Sequence, residues 1–159
     1  MSVVTESYPM QVRATPLHTV LIAEDDADDR LLAEEAFRVS QVECNLQFVG
    51  DGEQLLAYLR GERQYADRAL YPFPRVVLLD LNMPRKDGRE ALAEMRADPL
   101  LRDLPVMVLT TSRAHEDRAR VIQLKACDFA TKPTRFDELV GVVRRLSQWL
   151  GPLPARERE

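Results

Sequence analysis

The fold of this chain is decided by one stretch, RVVLLDLNMPRKDG, residues 75–88. Residues 76–80 form a continuous apolar run that ends in an acid, which is typical of a parallel strand with both faces covered. The run stops there because Pro84 cannot continue a ladder and the pair Asp87-Gly88 favours a turn into the next helix. Asp80 is therefore predicted at the carboxyl edge of a sheet, where open α/β sheets bind their ligands.

Four further segments read as strands, and helical periods separate them. They cover residues 20–23, 42–48, 105–109 and 128–131. In the intervening segments apolar residues recur at three- and four-residue spacing, and the last helix has the strongest period, with Phe136, Leu139, Val143, Leu146 and Leu150. Five alternations of strand and helix predict an α/β fold with a parallel sheet and helices on both faces.

The length of 159 residues fits one domain with a sizeable core. Residues 1–18 show neither period clearly and are expected to be an extended lead-in, residues 19–150 form the domain, and residues 151–159 form a loose, charged tail. The connection 61–74 is long for an α/β unit. It is interpreted as a surface insertion packed by its own aromatic residues, with a functional loop as the alternative.

The charge and the cysteine content of the chain bear on its partners and on its cellular compartment. The 22 Lys and Arg residues are interleaved with 26 Asp and Glu residues for a net charge of -4, whereas a nucleic-acid surface needs basic residues gathered on one face. The sequence shows no signal peptide and no apolar run long enough to cross a bilayer. Cys44 and Cys127 lack disulfide or metal spacing, which favours buried, reduced thiols. We expect a cytoplasmic protein with no nucleic-acid partner and no membrane association.

Polar residues stand at the ends of four strands, and a parallel sheet brings those ends to one edge. They are Glu24 and Asp25 after the first strand, Asp80 after the third, Thr110 after the fourth and Lys132 after the fifth. Carboxylates about 4 Å apart repel by on the order of 4 kcal/mol per pair at an effective dielectric near 20. Mg²⁺ offsets this repulsion because it binds carboxylate, carbonyl and water oxygens. The pattern predicts a magnesium site.

The remaining residues of this edge suit a phosphoryl group. Lys132 supplies a cation and Thr110 a hydroxyl, which leaves Asp80 as the natural nucleophile. Each residue also has a structural interpretation, with Asp25 as a helix N-cap, Thr110 as a strand-end hydroxyl and Lys132 as a solvated terminus. Their joint occurrence at the strand ends favours a phosphoryl site.

With these residues the chain resembles the response-regulator receiver family. The matching motifs are Glu24-Asp25, the DLNMP run 80–84, Asp87-Gly88, the TTS run 110–112 and Lys132-Pro133. The resemblance spans roughly residues 18 to 150 and implies a sheet of order 2-1-3-4-5. In detail the chain looks like the stand-alone regulators that partner bacterial and cyanobacterial phytochrome kinases. This implies a single-domain response regulator of a two-component system.

The resemblance also implies the metal site and the acceptor. Asp80 would take a phosphoryl group from the histidine of a sensor kinase, in a protein that catalyses only its own phosphorylation and dephosphorylation. Asp25, Asp80 and the backbone carbonyl of Asn82 would hold Mg²⁺, and Glu24 would reach the metal through water.

Other residues take switching roles by the same resemblance. Lys132 would pair with a phosphoryl oxygen, Thr110 and Phe129 would move as the switch, and the bond before Pro133 would be cis. Lys125 departs from the commonest pattern because it replaces a frequent glycine at the end of the fourth helix.

Three rival interpretations are open. A phosphatase of the haloacid dehalogenase type needs a second acid two residues after the nucleophile, where this chain has Asn82. A receiver-shaped interaction module that is never phosphorylated is opposed by the intact set of acids, threonine and lysine. A flavodoxin-like FMN binder is opposed by the run Glu24-Asp25-Asp26, which would repel a phosphate.

Two observations bear on partners. Val142 and Trp149 lie seven residues apart and outside the core stripe, which suggests a homodimer seam along the fourth helix, fifth strand and fifth helix. The alternative is a Trp side chain lying over the helix end.

His18 and His115 lack ligand partners at useful spacing and are interpreted as surface histidines.

Overall fold

A computed structural model describes residues 17–111 and 115–151, without the side chains of residues 115–117. Its sheet contains the strands β1 (Thr19–Ala23), β2 (Asn45–Val49), β3 (Val76–Asp80), β4 (Val106–Thr110) and β5 (Asp128–Thr131). The strands pair in parallel in the order 2-1-3-4-5, which confirms the predicted fold. Most of the expected lead-in and tail, together with Ser112 and the His115 side chain, lies outside the described residues.

Helices cover both faces of this sheet. They are α1 (Ala27–Ser40), α2 (Gly52–Arg60), α3 (Gly88–Ala97), α4 (His115–Gln123) and α5 (Phe136–Leu146), with 3-10 turns at Arg63–Ala66 and Ser147–Trp149. One core packs α2, α3 and α4 against the sheet, and the other packs α1 and α5 against the opposite face. Within the described part of the chain, no helix combines the length and the apolar character that a bilayer crossing requires.

The turn after β3 needs the glycine that the sequence places there. A Cβ atom on Gly88 would lie 2.7 Å from the Leu81 Cα and 2.8 Å from the Asp80 carbonyl oxygen, closer than real side chains come. Asp87 begins α3 with a reciprocal capping box that also involves Glu90. The close contact fixes the start of α3 against the end of β3, directly below Asp80.

The second strand begins three residues later than the sequence predicts. β2 starts at Asn45 rather than near Val42, because its partner β1 starts at Thr19 and the register pairs Thr19 with Asn45. Val42 and Cys44 instead pack as partly buried side chains against the core beneath α1 and α5.

Arg68 organises the long connection between α2 and β3. Its guanidinium donates to the carbonyl oxygens of Tyr58, Leu59 and Tyr71 at 2.8, 2.9 and 3.1 Å. The rings of Tyr58, Tyr65 and Tyr71 lie 5.0 to 5.9 Å apart. The connection therefore packs through its own aromatic side chains, in agreement with the first of the two interpretations of residues 61–74.

The helix α5 corrects the argument for a homodimer seam. Val142 is only 5% exposed and belongs to the core beneath α1 and α5, and Trp149 is partly buried against the same core. The buried face of α5 is wider than the predicted stripe because the helix packs both on α1 and on the sheet, while Phe136 at its start is exposed. The proposed pair Val142 and Trp149 was therefore wrong as an exposed seam, since both side chains pack against this core.

Lys125 adopts a left-handed conformation, with φ of 58°. Replacing it with Gly is expected to stabilise the protein by about 0.5–1 kcal/mol, since the strain of an L-residue there exceeds the chain entropy that Gly loses. Urea unfolding measures this gain. Lys125→Ala is the matched control, because it removes the same exposed side chain and keeps the strain; an equal gain in both variants would contradict the explanation.

Cys44 and Cys127 are free and half-buried, and burial raises the pKa of each thiol from 9.0 to about 11. At pH 8 the thiolate fraction is then about a hundredfold below that of the unfolded chain. We expect alkylation by iodoacetamide at least about tenfold slower in the native protein than in urea. The protonated thiols add stability below pH 9, and this contribution is lost as the pH rises through about 11. Equal alkylation rates in both states would contradict this expectation.

Candidate functional site

The carboxyl ends of four neighbouring strands meet at one edge of the sheet. Asp80 ends β3 beside Leu109, and Thr110 ends β4 beside Thr131 of β5. Glu24 follows β1 directly and donates its backbone N–H to the Val49 carbonyl of β2. The parallel register therefore carries side chains that are far apart in sequence to a single point, as the sequence predicted.

Three acids form the centre of this edge. Glu24, Asp25 and Asp80 each offer a carboxylate oxygen, and these oxygens all lie within 4.8 Å of one another. Glu24 and Asp80 are buried, whereas Asp25 is exposed and opens the cluster to solvent. Such a set of hard oxygen ligands fits a divalent cation such as Mg²⁺, Mn²⁺ or Ca²⁺.

Lys132 holds the acids together. Its ammonium group lies 2.9 Å from Glu24 Oε1, 2.9 Å from Asp80 Oδ2 and 3.0 Å from Asp29 Oδ2. Burial alone would lower the pKa of this lysine, but the hydrogen bonds to Glu24, Asp80 and Asp29 outweigh burial and raise the pKa well above its usual range. Lys132 is thus a fixed cation beside the Asp80 carboxylate.

The surroundings of Glu24 raise the pKa of its carboxyl group. Burial raises the pKa of its carboxyl group above the ordinary value of 4.5, and hydrogen bonds from Lys132 and the Asp26 backbone N–H oppose that shift only in part. A further cation at this edge would favour the charged form of Glu24. The cluster places three carboxylates around one lysine, and a bound metal ion would supply further positive charge.

The segment after β3 completes the surroundings of Asp80. The Asn82 backbone N–H donates to Asp80 Oδ1 at 2.9 Å, and the Asn82 side-chain amide donates to Thr111 Oγ1 at 3.0 Å. One carboxylate oxygen of Asp80 thus faces a backbone donor and the other faces Lys132. The carboxylate is held in one orientation, which pre-positions a nucleophile.

The two residues expected to switch lie on neighbouring strands, Thr110 at the end of β4 and Phe129 on β5 opposite Val108. Thr110 is fully buried, and Phe129 is half-buried with the Arg118 guanidinium 5.2 Å from the centre of its ring. The backbone N–H of Lys132 donates to the Thr110 carbonyl oxygen at 2.8 Å. Thr110 is therefore tied through the backbone to the residue that contacts Asp80.

One expectation for this edge was wrong. The described residues contain no cis peptide bond, so the bond between Lys132 and Pro133 is trans. Only the family resemblance supplied the cis expectation. The sequence does not decide the isomer, because the two forms before a proline differ by only about 0.5–1 kcal/mol.

Two features of the site were missed by the sequence analysis. Asp29 was interpreted only as a helix-start acid, yet its side chain reaches Lys132. A cavity of about 290 Å³ lies beside the acids, between α1 and α5; it is lined by Asp29, Leu32, Lys132 and Phe136, among other residues. The only sequence signal for Asp29 was its position in the first turn of α1, one turn after the acids that end β1.

Known proteins resemble the chain along most of its length. The family pattern described as the response regulator receiver domain matches residues 20–144. The response regulator Rcp1 of Synechocystis is 34% identical over 142 residues, which is 89% of this chain and 95% of that protein. The Mn²⁺-bound form of Rcp1 has a TM-score of 0.75 and 35% identity, and the match covers 87% of this chain and 99% of that one.

Two further solved structures give the same picture. The response regulator RPA3017 in red light signaling of R. palustris has a TM-score of 0.78 and 38% identity, covering 87% of this chain and 99% of that one. The phosphorylated cyanobacterial phytochrome response regulator RcpA has a TM-score of 0.76 and 35% identity, with the same coverage. The fold described above thus recurs in these solved structures.

Proposed function

Because this chain belongs to the response-regulator receiver family of two-component signalling proteins, we propose that Asp80 accepts a phosphoryl group from a sensor histidine kinase. The observation that carries the proposal is the buried Asp80 carboxylate, which lies 2.9 Å from Lys132 and within reach of two further acids. The alternative is a receiver-shaped module that is never phosphorylated.

The contacts of Asp80 suit in-line phosphoryl transfer. An oxygen of its carboxylate attacks phosphorus as the bond from phosphorus to the kinase histidine nitrogen breaks, and the histidine regains a proton from solvent. Lys132 neutralises charge on the equatorial phosphoryl oxygens. The Asn82 backbone N–H keeps the carboxylate oriented during the attack. Asp80 is thereby both nucleophile and acceptor.

We propose Mg²⁺ as the resident metal. Asp25, Asp80 and the Asn82 backbone carbonyl would hold the ion, with Glu24 acting through water, and the ion would supply charge neutralisation to the transferred group. Support comes from the three convergent carboxylates and from the Mn²⁺-bound form of Rcp1, since Mn²⁺ and Mg²⁺ both favour oxygen ligands.

In the proposed cycle the acyl phosphate would shift the switch residues. New phosphoryl oxygens would attract the Thr110 hydroxyl, and Phe129 would move into the space that this leaves. These contacts form only in the phosphorylated state, so they can bias the population of two conformations. The output surface would be α4, β5 and α5.

The kinase is proposed to be a phytochrome. The support is the likeness to RPA3017, whose structure is described in red light signaling, and to RcpA, a phytochrome response regulator. We propose that the regulator works in the cytoplasm, in line with the free thiols Cys44 and Cys127. A homodimer through α4, β5 and α5 is also proposed, now supported by the exposed Ile122 on α4. Light scattering that shows a monomer with and without phosphorylation would refute the dimer.

The experiment for the proposed function uses acetyl phosphate and Mg²⁺. Intact mass spectrometry is expected to show the gain of one phosphoryl group. Beryllofluoride with Mg²⁺ is expected to shift the backbone amide NMR signals of Thr110 and Phe129. No mass gain and no spectral change would favour the interaction module. Phosphotransfer from a panel of kinases of the same cell then identifies the donor.

The chain is less suited to phosphatase turnover. The position two residues after Asp80 is Asn82, whose side-chain amide donates to Thr111 and has no acidic proton to give to a leaving group. Turnover of a phosphate ester that is lost in Asp80→Asn would reverse this assignment.

A further inference from the structure

The ammonium group of Lys132 already uses all three of its protons. Its three acceptors are Glu24, Asp80 and Asp29, at 2.9, 2.9 and 3.0 Å. An ammonium group has three donors and no more. A phosphoryl oxygen on Asp80 can therefore gain a hydrogen bond from Lys132 only if one of these contacts is given up.

The three acceptors differ in how readily water can replace the lysine. The side chains of Glu24 and Asp80 are 8% and 5% exposed, whereas that of Asp29 is 38% exposed. Leaving a buried carboxylate without its donor costs far more than leaving one that water reaches. Asp80 is no longer a free carboxylate once it is phosphorylated, so of the two acids that remain, Asp29 is the partner that Lys132 releases more easily.

Electrostatic repulsion also favours the release of Asp29 from Lys132. Phosphorylation converts the single negative charge of Asp80 into about two, in the same cluster as Asp29. Glu24 and Asp25 sit where a metal ion can offset that charge, but Asp29 is held by Lys132 alone among the cations of its described ion pairs. The released carboxylate is then repelled from the site.

The structure also provides room for this movement. The cavity of about 290 Å³ between α1 and α5 is lined by both Asp29 and Lys132 and is bounded by Leu32 and Phe136. Asp29 belongs to the first turn of α1, where its backbone N–H donates to the capping carboxylate of Asp26. A displaced Asp29 side chain therefore acts on the start of α1 and on the gap between α1 and α5.

We propose that Asp29 is a positioning residue that holds Lys132 in the unphosphorylated protein and releases it on phosphorylation. The first turn of α1 then responds to the phosphoryl group separately from Thr110 and Phe129. This inference rests on the proposed function, since it requires phosphorylation of Asp80.

The test compares Asp29→Asn with two matched variants at saturating Mg²⁺. Asp28→Asn removes the same charge from the same helical turn, at a residue that forms no ion pair with Lys132 in the described structure. Asp29→Glu keeps the charge and the reach. With acetyl phosphate, Asp29→Asn is expected to take up the phosphoryl group about two- to fivefold faster than wild type, because Lys132 is freed from a half-exposed pair. Asp28→Asn and Asp29→Glu are expected to match wild type.

A second readout follows the backbone amides by NMR. On addition of beryllofluoride and Mg²⁺, the amides of the first turn of α1 are expected to shift in wild type and much less in Asp29→Asn, while Thr110 and Phe129 shift in both. Two results would overturn the role of Asp29 and leave the proposed function intact. One is equal uptake rates in wild type, Asp28→Asn and Asp29→Asn; the other is that the amides of the first turn of α1 do not shift in wild type. Absence of uptake in wild type would instead overturn the proposed function and this inference with it.

Discussion

Asp80→Asn is expected to abolish phosphoryl uptake from acetyl phosphate. An amide is not a nucleophile toward phosphorus at neutral pH, and Glu24 and Asp25 follow β1 rather than β3, so neither takes the position of Asp80. The mass spectrum of the variant after incubation with acetyl phosphate and Mg²⁺ is therefore expected to show no added phosphoryl group. The expected loss is complete, which makes this the largest effect predicted for the chain.

The fold should survive this substitution. The side-chain amide of Asn can still accept hydrogen bonds on its oxygen, from the Asn82 backbone N–H or from Lys132, and it is the same size as Asp. Asp103→Asn makes the same change at an exposed residue and should phosphorylate as wild type does. Uptake by Asp80→Asn at the wild-type rate would show that the acceptor lies elsewhere.

Lys132→Gln is expected to destabilise the protein strongly at neutral pH in the absence of metal. The substitution removes the cation shared by two buried carboxylates, and removing one partner of a buried ion pair costs about 3–5 kcal/mol. Lys132 has some exposure, so about 2–3 kcal/mol is the expected loss in the free energy of urea unfolding. Added Mg²⁺ is expected to restore part of it, because binding to the folded state alone stabilises that state.

The pH dependence follows from the raised pKa of Glu24. An acid whose pKa is raised by burial favours the folded state below its unfolded value of 4.5, and this advantage is lost as the pH rises through the folded value. Without Lys132 the pKa of Glu24 should rise further. The stability difference between wild type and Lys132→Gln should therefore be small below pH 4.5 and grow toward neutral pH.

A surface lysine provides the control for this experiment. Lys86 pairs with Glu94 at the surface, so Lys86→Gln should leave the free energy of unfolding close to that of wild type. Added Mg²⁺ should raise the free energy of unfolding of Lys86→Gln by the same amount as that of wild type. Equal losses in Lys86→Gln and Lys132→Gln would mean that the lysine at the sheet edge has no special role in balancing charge.

The sequence alone determined the sheet and the residues at its edge. Continuous apolar runs such as residues 76–80 predict buried parallel strands, and a parallel sheet must bring the strand ends to one side. Asp80, Lys132 and the Glu24-Asp25 pair could therefore be placed together without coordinates. The family resemblance added the strand order, because apolar periodicity does not distinguish one order of parallel strands from another.

Only the tertiary structure decided how these side chains share their partners. The contact between Asp29 and Lys132, the cavity beside it and the burial of Val142 all depend on how α1 and α5 pack on the same face of the sheet. Local sequence patterns report which face of a helix is apolar, but they do not report the distance between two helices that are far apart in the chain. Packing sets that distance, so the third partner of Lys132 could be found only in the folded molecule.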